Sequence, residues 1–285
     1  LVSRNIDYRR KRYSTWSISK IGRYMGNMLD AIDFFYGGAV EKGCLAFCEW
    51  IDFFLDDYFL SGTTSLMLNG FSWSDITPLG LLLVVDEGAK KRFEKFYSFY
   101  RGTTLYGKYG IDVVFVPDIE ICDYSLFRLE NSAIPLASVE QAFVDSIINY
   151  RSWGVDFLET LSILVGIMLP QVFRSGGWGR VENIVRLAMQ QYDSEEYTLL
   201  LAVLKNVLMR YYIYFEDIDA LKLYIRLPDV PKEYVLPRWI SRRIYEAFRA
   251  TILGDRVAMH LGLEPDFSKA RTATIPSNIF AVSEI

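Results

Sequence analysis

Apolar residues recur at helical spacing near both ends of this chain and gather into short continuous runs between them. Ile18, Ile21, Met25, Leu29 and Ile32 follow Ser17, a suitable N-cap, and predict one helix or two short ones, since Gly22 and Gly26 weaken it. Beyond the Gly37-Gly38 turn, Phe47, Trp50, Ile51, Phe54 and Tyr58 share one face of a second predicted helix. The texture then changes. Tyr58-Phe59-Leu60 reads as a short strand, Ser61 to Thr64 as a turn and cap, and Ser65 to Asn69 as a short helix stopped by Gly70. Leu81 to Val85 is an unbroken apolar run, the mark of a strand covered on both faces. Ile111 to Val116 predicts another strand, and Phe127–Glu130 with Ile134–Ala137 predict a pair around Asn131-Ser132.

From Ser138 the period returns to helical. Ser138 and Gln141 have the spacing of a capping box, and Val139, Ala142, Phe143, Ile147 and Tyr150 form the apolar face behind it. Further helices are expected near 155–168, 180–192 and 195–212, the last apolar all round from Leu199 to Leu204 and so central to a bundle. Pro228, Pro231 and Pro237 punctuate a loop before a final helix from Trp239 to Leu253. The expected class is α+β in four parts. Residues 1–57 form a helical, winged-helix-like segment, and 58–137 a small mixed α/β sheet module. Residues 138–264 form a helical domain, and 265–285 an extended tail.

Charge sharpens this division. The net charge of −4 over 285 residues conceals a segment, 1–25, in which seven bases face only Asp7. Arg9, Arg10, Lys11, Arg12, Lys20 and Arg23 stand among Tyr8, Tyr13 and Trp16, mixing phosphate-neutralising charge with flat rings. Two helices around a glycine turn beside such a cluster suit a helix-turn-helix or winged-helix reader of DNA. The body beyond it is acidic and better matched to a protein partner, a basic one or a second copy of the chain. Arg238, Arg242, Arg243 and Arg249 make a second basic group on the last predicted helix.

Several chemistries are disfavoured. The single histidine, His260, has no nucleophile motif near it, and neither a Walker A loop nor GxGxxG occurs. Cys44 and Cys48 lie one helical turn apart with no second Cys/His pair, so they read as core residues and no metal or cofactor is expected. Three cysteines and a charged opening segment predict a reduced, cytoplasmic protein. The longest apolar stretch, Leu161 to Phe173, contains Gly166 and Pro170 and is shorter than the roughly 20 residues of a bilayer span. No membrane contact is expected.

Two segments carry a resemblance. Ser61-Gly62-Thr63-Thr64-Ser65-Leu66-Met67-Leu68-Asn69-Gly70 follows the first strand, and Leu136-Ala137-Ser138-Val139-Glu140-Gln141-Ala142-Phe143-Val144-Asp145 opens the helical half. In this order they resemble the SGxxALxxHG and ASxERAhhD segments of the AbiEi-type antitoxins, transcriptional regulators of abortive-infection toxin–antitoxin operons. The match spans about residues 58–150. Ser65 stands for the family's usual Ala, Asn69 for its His and Gln141 for its Arg. The resemblance implies a non-catalytic, DNA-binding repressor that neutralises a nucleotidyltransferase toxin. It implies that Ser61, Gly62, Gly70, Ser138, Glu140 and Asp145 are fold-defining residues.

An enzyme is the rival reading. Phe59-Leu60-Ser61-Gly62-Thr63 also looks like the triphosphate-holding turn of nucleotidyltransferases, which need two carboxylates one residue apart on the next strand to share magnesium. The corresponding stretch is taken as Ser74-Asp75-Ile76-Thr77, where threonine replaces the second carboxylate. A degenerate, binding-only relative of that fold fits these residues better. Asp217-Ile218-Asp219 has the right spacing without the glycine turn, and reads as a helix cap. A third class is a structural protein that only self-associates.

Overall fold

The computed structural model describes residues 26–31, 40–71, 81–100, 111–129, 132–149 and 156–260. The basic residues Arg9, Arg10, Lys11, Arg12, Lys20 and Arg23, the Ser74–Thr77 stretch and the tail lie outside them. The chain is α+β and divides into two compact units. One comprises Leu1–Leu60, Leu83–Ile119 and Tyr124–Leu136; the other comprises Ser61–Leu82, Glu120–Asp123 and Ala137–Ile285.

The first unit carries a mixed five-stranded sheet: β1 (Tyr58–Ser61), β2 (Leu81–Asp86), β3 (Ile111–Val116), β4 (Tyr124–Leu129) and β5 (Ser132–Ala137). Their order is β3-β2-β1-β5-β4, with β1 and β5 parallel and Leu60 opposite Leu136. The apolar run of β2 is buried as its sequence predicts, because an interior strand has no solvated face. β4 lies at an edge, and all its residues are exposed or half-buried. The helices of this unit are α1 (26–31), α2 (Val40–Ile51) and α4 (Lys90–Tyr100). On α2 the cysteines Cys44 and Cys48 form no disulfide and are buried beside Phe47 and Trp50. Phe54 and Tyr58, expected on this helix, fall beyond its end; Tyr58 opens β1, its hydroxyl 2.8 Å from Asp52 Oδ1 and 3.1 Å from Cys48 O. The helix α4 was not anticipated. It opens on three bases, Lys90 to Arg92, and is anchored by Phe93 packing edge-on against Phe115 with centroids 5.3 Å apart.

Helices make up most of the second unit: α3 (Thr63–Leu68), α5 (Val139–Ile148), α6 (Asp156–Ile163), α7 (Leu169–Ser175), α8 (Gly179–Gln191), α9 (Ser194–Phe215), α10 (Ile218–Arg226) and α11 (Arg238–His260). Asp193 caps α9 by accepting from Glu195 N and Glu196 N, and Asp217 caps α10 by accepting from Asp219 N and Ala220 N. The Asp217-Ile218-Asp219 pattern is therefore a cap. The glycine cluster at 175–179 joins α7 to α8, with Gly176 left-handed at φ 64°. Lys205, buried on α9, satisfies its ammonium on Leu227 O, Pro228 O and Asp229 Oδ1, and so pins the loop after α10.

Pro170 does not end its helix. α6 and α7 are joined by a π-helical segment, Leu164–Met168, in which Leu169 N bonds Leu164 O. The next bond of that ladder would require an N–H on Pro170, which proline lacks, leaving Val165 O without a backbone donor. The Tyr211 hydroxyl of α9 donates to it instead. The stretch Phe157–Ser175 is thus a continuous helix of 19 residues, longer than its sequence suggests. It and Ser194–Phe215 are long and apolar enough to cross a bilayer, but 61% and 72% of their apolar windows are buried inside the protein. Tyr211→Phe is expected to orphan the Val165 carbonyl and cost about 1–3 kcal/mol, read as a lowered urea midpoint with an unchanged m-value.

Candidate functional site

The two sequence segments that carry the resemblance meet in one buried polar cluster within the second unit. Gly62, at φ 82° and ψ −166°, turns the chain out of β1 and straight into α3. That turn leaves Ser61 at the strand end and Ser65 on the first turn of the helix, both completely buried. Ser61 Oγ donates to Asp145 Oδ2 at 2.5 Å. Ser65 Oγ donates to Ala137 O at 3.0 Å, and Asn69 Nδ2 to the same carbonyl at 3.2 Å. Ser61, Ser65 and Asn69 of the first segment therefore all reach the second.

Asp145 stands at the centre on α5 and is fully buried. Besides Ser61, it accepts from Gln141 Nε2 at 2.9 Å and from Tyr192 Oη at 2.7 Å. Burial pushes its carboxyl up to about 6 from the usual 3.8, against the opposing pull of these three donors. Burial and the adjacent carboxylate also raise the Tyr192 hydroxyl well above 10, so it stays protonated and donates. Gln141 and Gln191 exchange amide hydrogen bonds at 2.7 and 2.8 Å, and Gln141 Oε1 accepts further from Asp123 N at 3.0 Å.

The helix start is capped as its sequence predicts, with Ser138 Oγ accepting from Gln141 N at 3.1 Å. The reciprocal half of the capping box is not made. Ser138 N donates to Asp123 O, and the Gln141 side chain turns inward to Asp145 and Gln191. Glu140, largely covered, pairs with Arg180 Nε at 2.9 Å. Gly70 sits at φ 84° one residue past the cap of α3, where Phe71 N bonds Leu66 O and Gly70 N bonds Met67 O, the paired bonds of a Schellman motif.

The role of Gln191 and Tyr192 was not foreseen. Gln191 continues the buried positions 184 and 188 of the helix, and Tyr192 is the residue that ends it. A glutamine on a buried stripe signals a polar partner inside, since an unpaired buried amide is costly.

A phosphate cradle needs open backbone N–H groups at the helix start. Here Ser61 to Leu66 are all buried, and Ser61 and Ser65 are committed to the second segment. Ser74–Thr77 lies outside the described residues, among which the next strand after the turn is Leu81–Asp86. Its terminal Asp86 caps the following 3-10 turn by accepting from Gly88 N at 2.8 Å, and also lies 3.4 Å from Ile119 N. Among the described residues no group of three or more His, Cys, Asp or Glu side chains is placed to hold a metal ion.

Comparison with known proteins returns no match among family models, curated proteins or solved structures. The resemblance to the AbiEi-type segments thus rests on the residues themselves.

Proposed function

We propose that this chain is an antitoxin-like transcriptional regulator that binds DNA through its basic N-terminal segment and holds a protein partner, without catalysis. The observation that carries the reading is the Ser61–Asp145 hydrogen bond, 84 residues apart in sequence. Two segments singled out only by their likeness to a regulator family share one buried cluster, as a common fold signature requires. The finer architecture belongs to the same reading: a winged-helix-like reader in 1–57 and a degenerate nucleotidyltransferase-like module in 58–137. The burial of Ser61 to Leu66 supports binding over nucleotide chemistry at that turn. The partner is a nucleotidyltransferase toxin, and self-association would pair readers on a palindromic operator.

Titrating the full chain against labelled duplex from upstream of its own gene tests this. The expected result is tight, salt-sensitive binding that falls at least tenfold when Arg9, Arg10, Lys11 and Arg12 are all changed to Ala. Unchanged affinity rejects the reader. Incubation with magnesium, labelled nucleoside triphosphates and RNA should give no turnover; turnover abolished by Asp75→Ala would replace this reading with the enzyme.

A further inference from the structure

The helix α11 presents a second basic surface, far along the chain from the N-terminal segment. Between Arg238 and Thr251 four arginines face a single acid, Glu246, in a protein whose net charge is −4. Exposed positions follow a 4-3-4 spacing, Arg238, Arg242, Tyr245 and Arg249, so they form one stripe along the helix. At about 1.5 Å per residue this stripe is about 16 Å long. The opposite face, with Ile240, Ile244, Ala247 and Phe248, is buried. Burial on that side fixes which side the arginines present.

Pairing within the stripe is incomplete. Glu246 holds Arg242 at 3.0 Å and Arg243 at 2.9 Å, and these two bonds pull its carboxyl below the usual range. Arg238 and Arg249 make no ion pair among the described residues. Trp239 is 42% exposed and Tyr245 47% exposed, so flat rings and a phenolic hydroxyl accompany the guanidinium groups. Solvent-facing Lys/Glu alternation would serve solubility; a single-signed row of arginines with aromatic neighbours is suited to bidentate contact with phosphate oxygens.

We propose that the exposed face of α11 binds the phosphate backbone of duplex nucleic acid, through Arg238, Arg242 and Arg249. A row of charges about 16 Å long spans several phosphates of a strand, which rises about 3.4 Å per nucleotide. Contacts of this kind position a duplex and read no sequence. This site extends the DNA-binding reading but does not need the N-terminal segment to be a reader.

The test is the salt dependence of binding of a random-sequence, fluorescein-labelled 24-base-pair duplex by the full chain. Four proteins are compared: the parent, the triple variant Arg238→Ala/Arg242→Ala/Arg249→Ala, the same triple changed to Lys, and the Arg9/Arg10/Lys11/Arg12→Ala variant. The Ala triple should lower the slope of log Kobs on log salt by about 2.7, three phosphates at roughly 0.9 each, and the Lys triple should restore most of it. All three positions are exposed, so circular dichroism should show the variants folded. An unchanged slope in the Ala triple overturns the proposal whatever the N-terminal variant does, as does failure of the parent to bind duplex at 50 mM salt. A reduced slope in the Ala triple with no effect of the N-terminal variant supports the α11 site and rejects the reader. Displacement of the duplex by polyglutamate at equal charge concentration as effective as by unlabelled duplex would mark an acidic-protein surface and also overturn it.

Discussion

Asp145→Ala is expected to cost about 2–4 kcal/mol of folding stability, because it leaves buried hydroxyl donors unpaired at about 1–3 kcal/mol each. Three donors aim at this carboxylate, from Ser61, Gln141 and Tyr192. Truncation strands the Ser61 and Tyr192 hydroxyls and unpins α5 from both the β1–α3 turn and the end of α8. Asp145→Asn keeps the size and one acceptor oxygen, so it should cost less, and it separates loss of charge from loss of volume. The pH dependence gives an independent reading. The folded carboxyl titrates near 6 and the unfolded one near 3.8. A raised folded value means that this group favours the folded state fully below about pH 3.8, and that the advantage is lost as pH rises through 6. The difference corresponds to about 3 kcal/mol. Urea unfolding between pH 4 and 6.5 should therefore show stability falling with pH in the parent and a flatter profile in Asp145→Asn. Equal slopes in the two proteins would sink the assignment of that window to Asp145.

Why a carboxylate sits there without a cation follows from one residue. In the family that the segment resembles an arginine stands at the place of Gln141, one helical turn before the aspartate, where it can pair with it. Here the amide does part of that work, and Gln191, fifty residues on, completes the shell by exchanging hydrogen bonds with it. The departure at 141 was plain in the sequence. Its compensation was not, because a glutamine at the end of α8 acquires meaning only when the fold brings it to α5. The same limit explains Pro170. A proline at that position argues for a break, and only the Tyr211 hydroxyl, supplied from another helix, makes a continuous π-containing helix tolerable.

Elsewhere local signals were sufficient. The apolar run at 81–85 and the β-branched-rich stretch at 111–116 became strands because Val, Ile and Phe suit a pleated, covered surface. Ser138 caps because its hydroxyl needs only the N–H three residues on. Tyr58 fits two expectations, the helix face and the strand from Tyr58 to Leu60, and the structure keeps the strand. Tyr58 falls on the apolar stripe of the preceding helix, yet its hydroxyl folds back to Asp52 and its backbone joins the sheet. Aromatic residues serve both kinds of core, so their spacing does not decide between them.

The second large effect is expected at Gly62. Its φ of 82° with ψ of −166° lies in a region that is essentially closed to residues with a Cβ. The conformation is imposed from both sides. Ser61 is held at the strand end by Asp145, and α3 begins at Thr63, so two residues must reverse direction with no loop between them. Gly62→Ala is expected to cost about 1–3 kcal/mol from backbone strain alone. More follows if the turn relaxes, because relaxation moves Ser61 away from the carboxylate and Ser65 away from Ala137 O. Gly70→Ala is the natural control. It shares a positive φ, but nothing lies within 4 Å of the added Cβ, and the left-handed region at a helix end is less hostile. It should cost about 1 kcal/mol. Double-mutant cycles of Gly62→Ala with Ser61→Ala then test the mechanism. If strain acts through the Ser61–Asp145 bond, the two losses should fall short of additive by 0.5 kcal/mol or more, whereas full additivity would confine the cost of Gly62 to its own dihedrals.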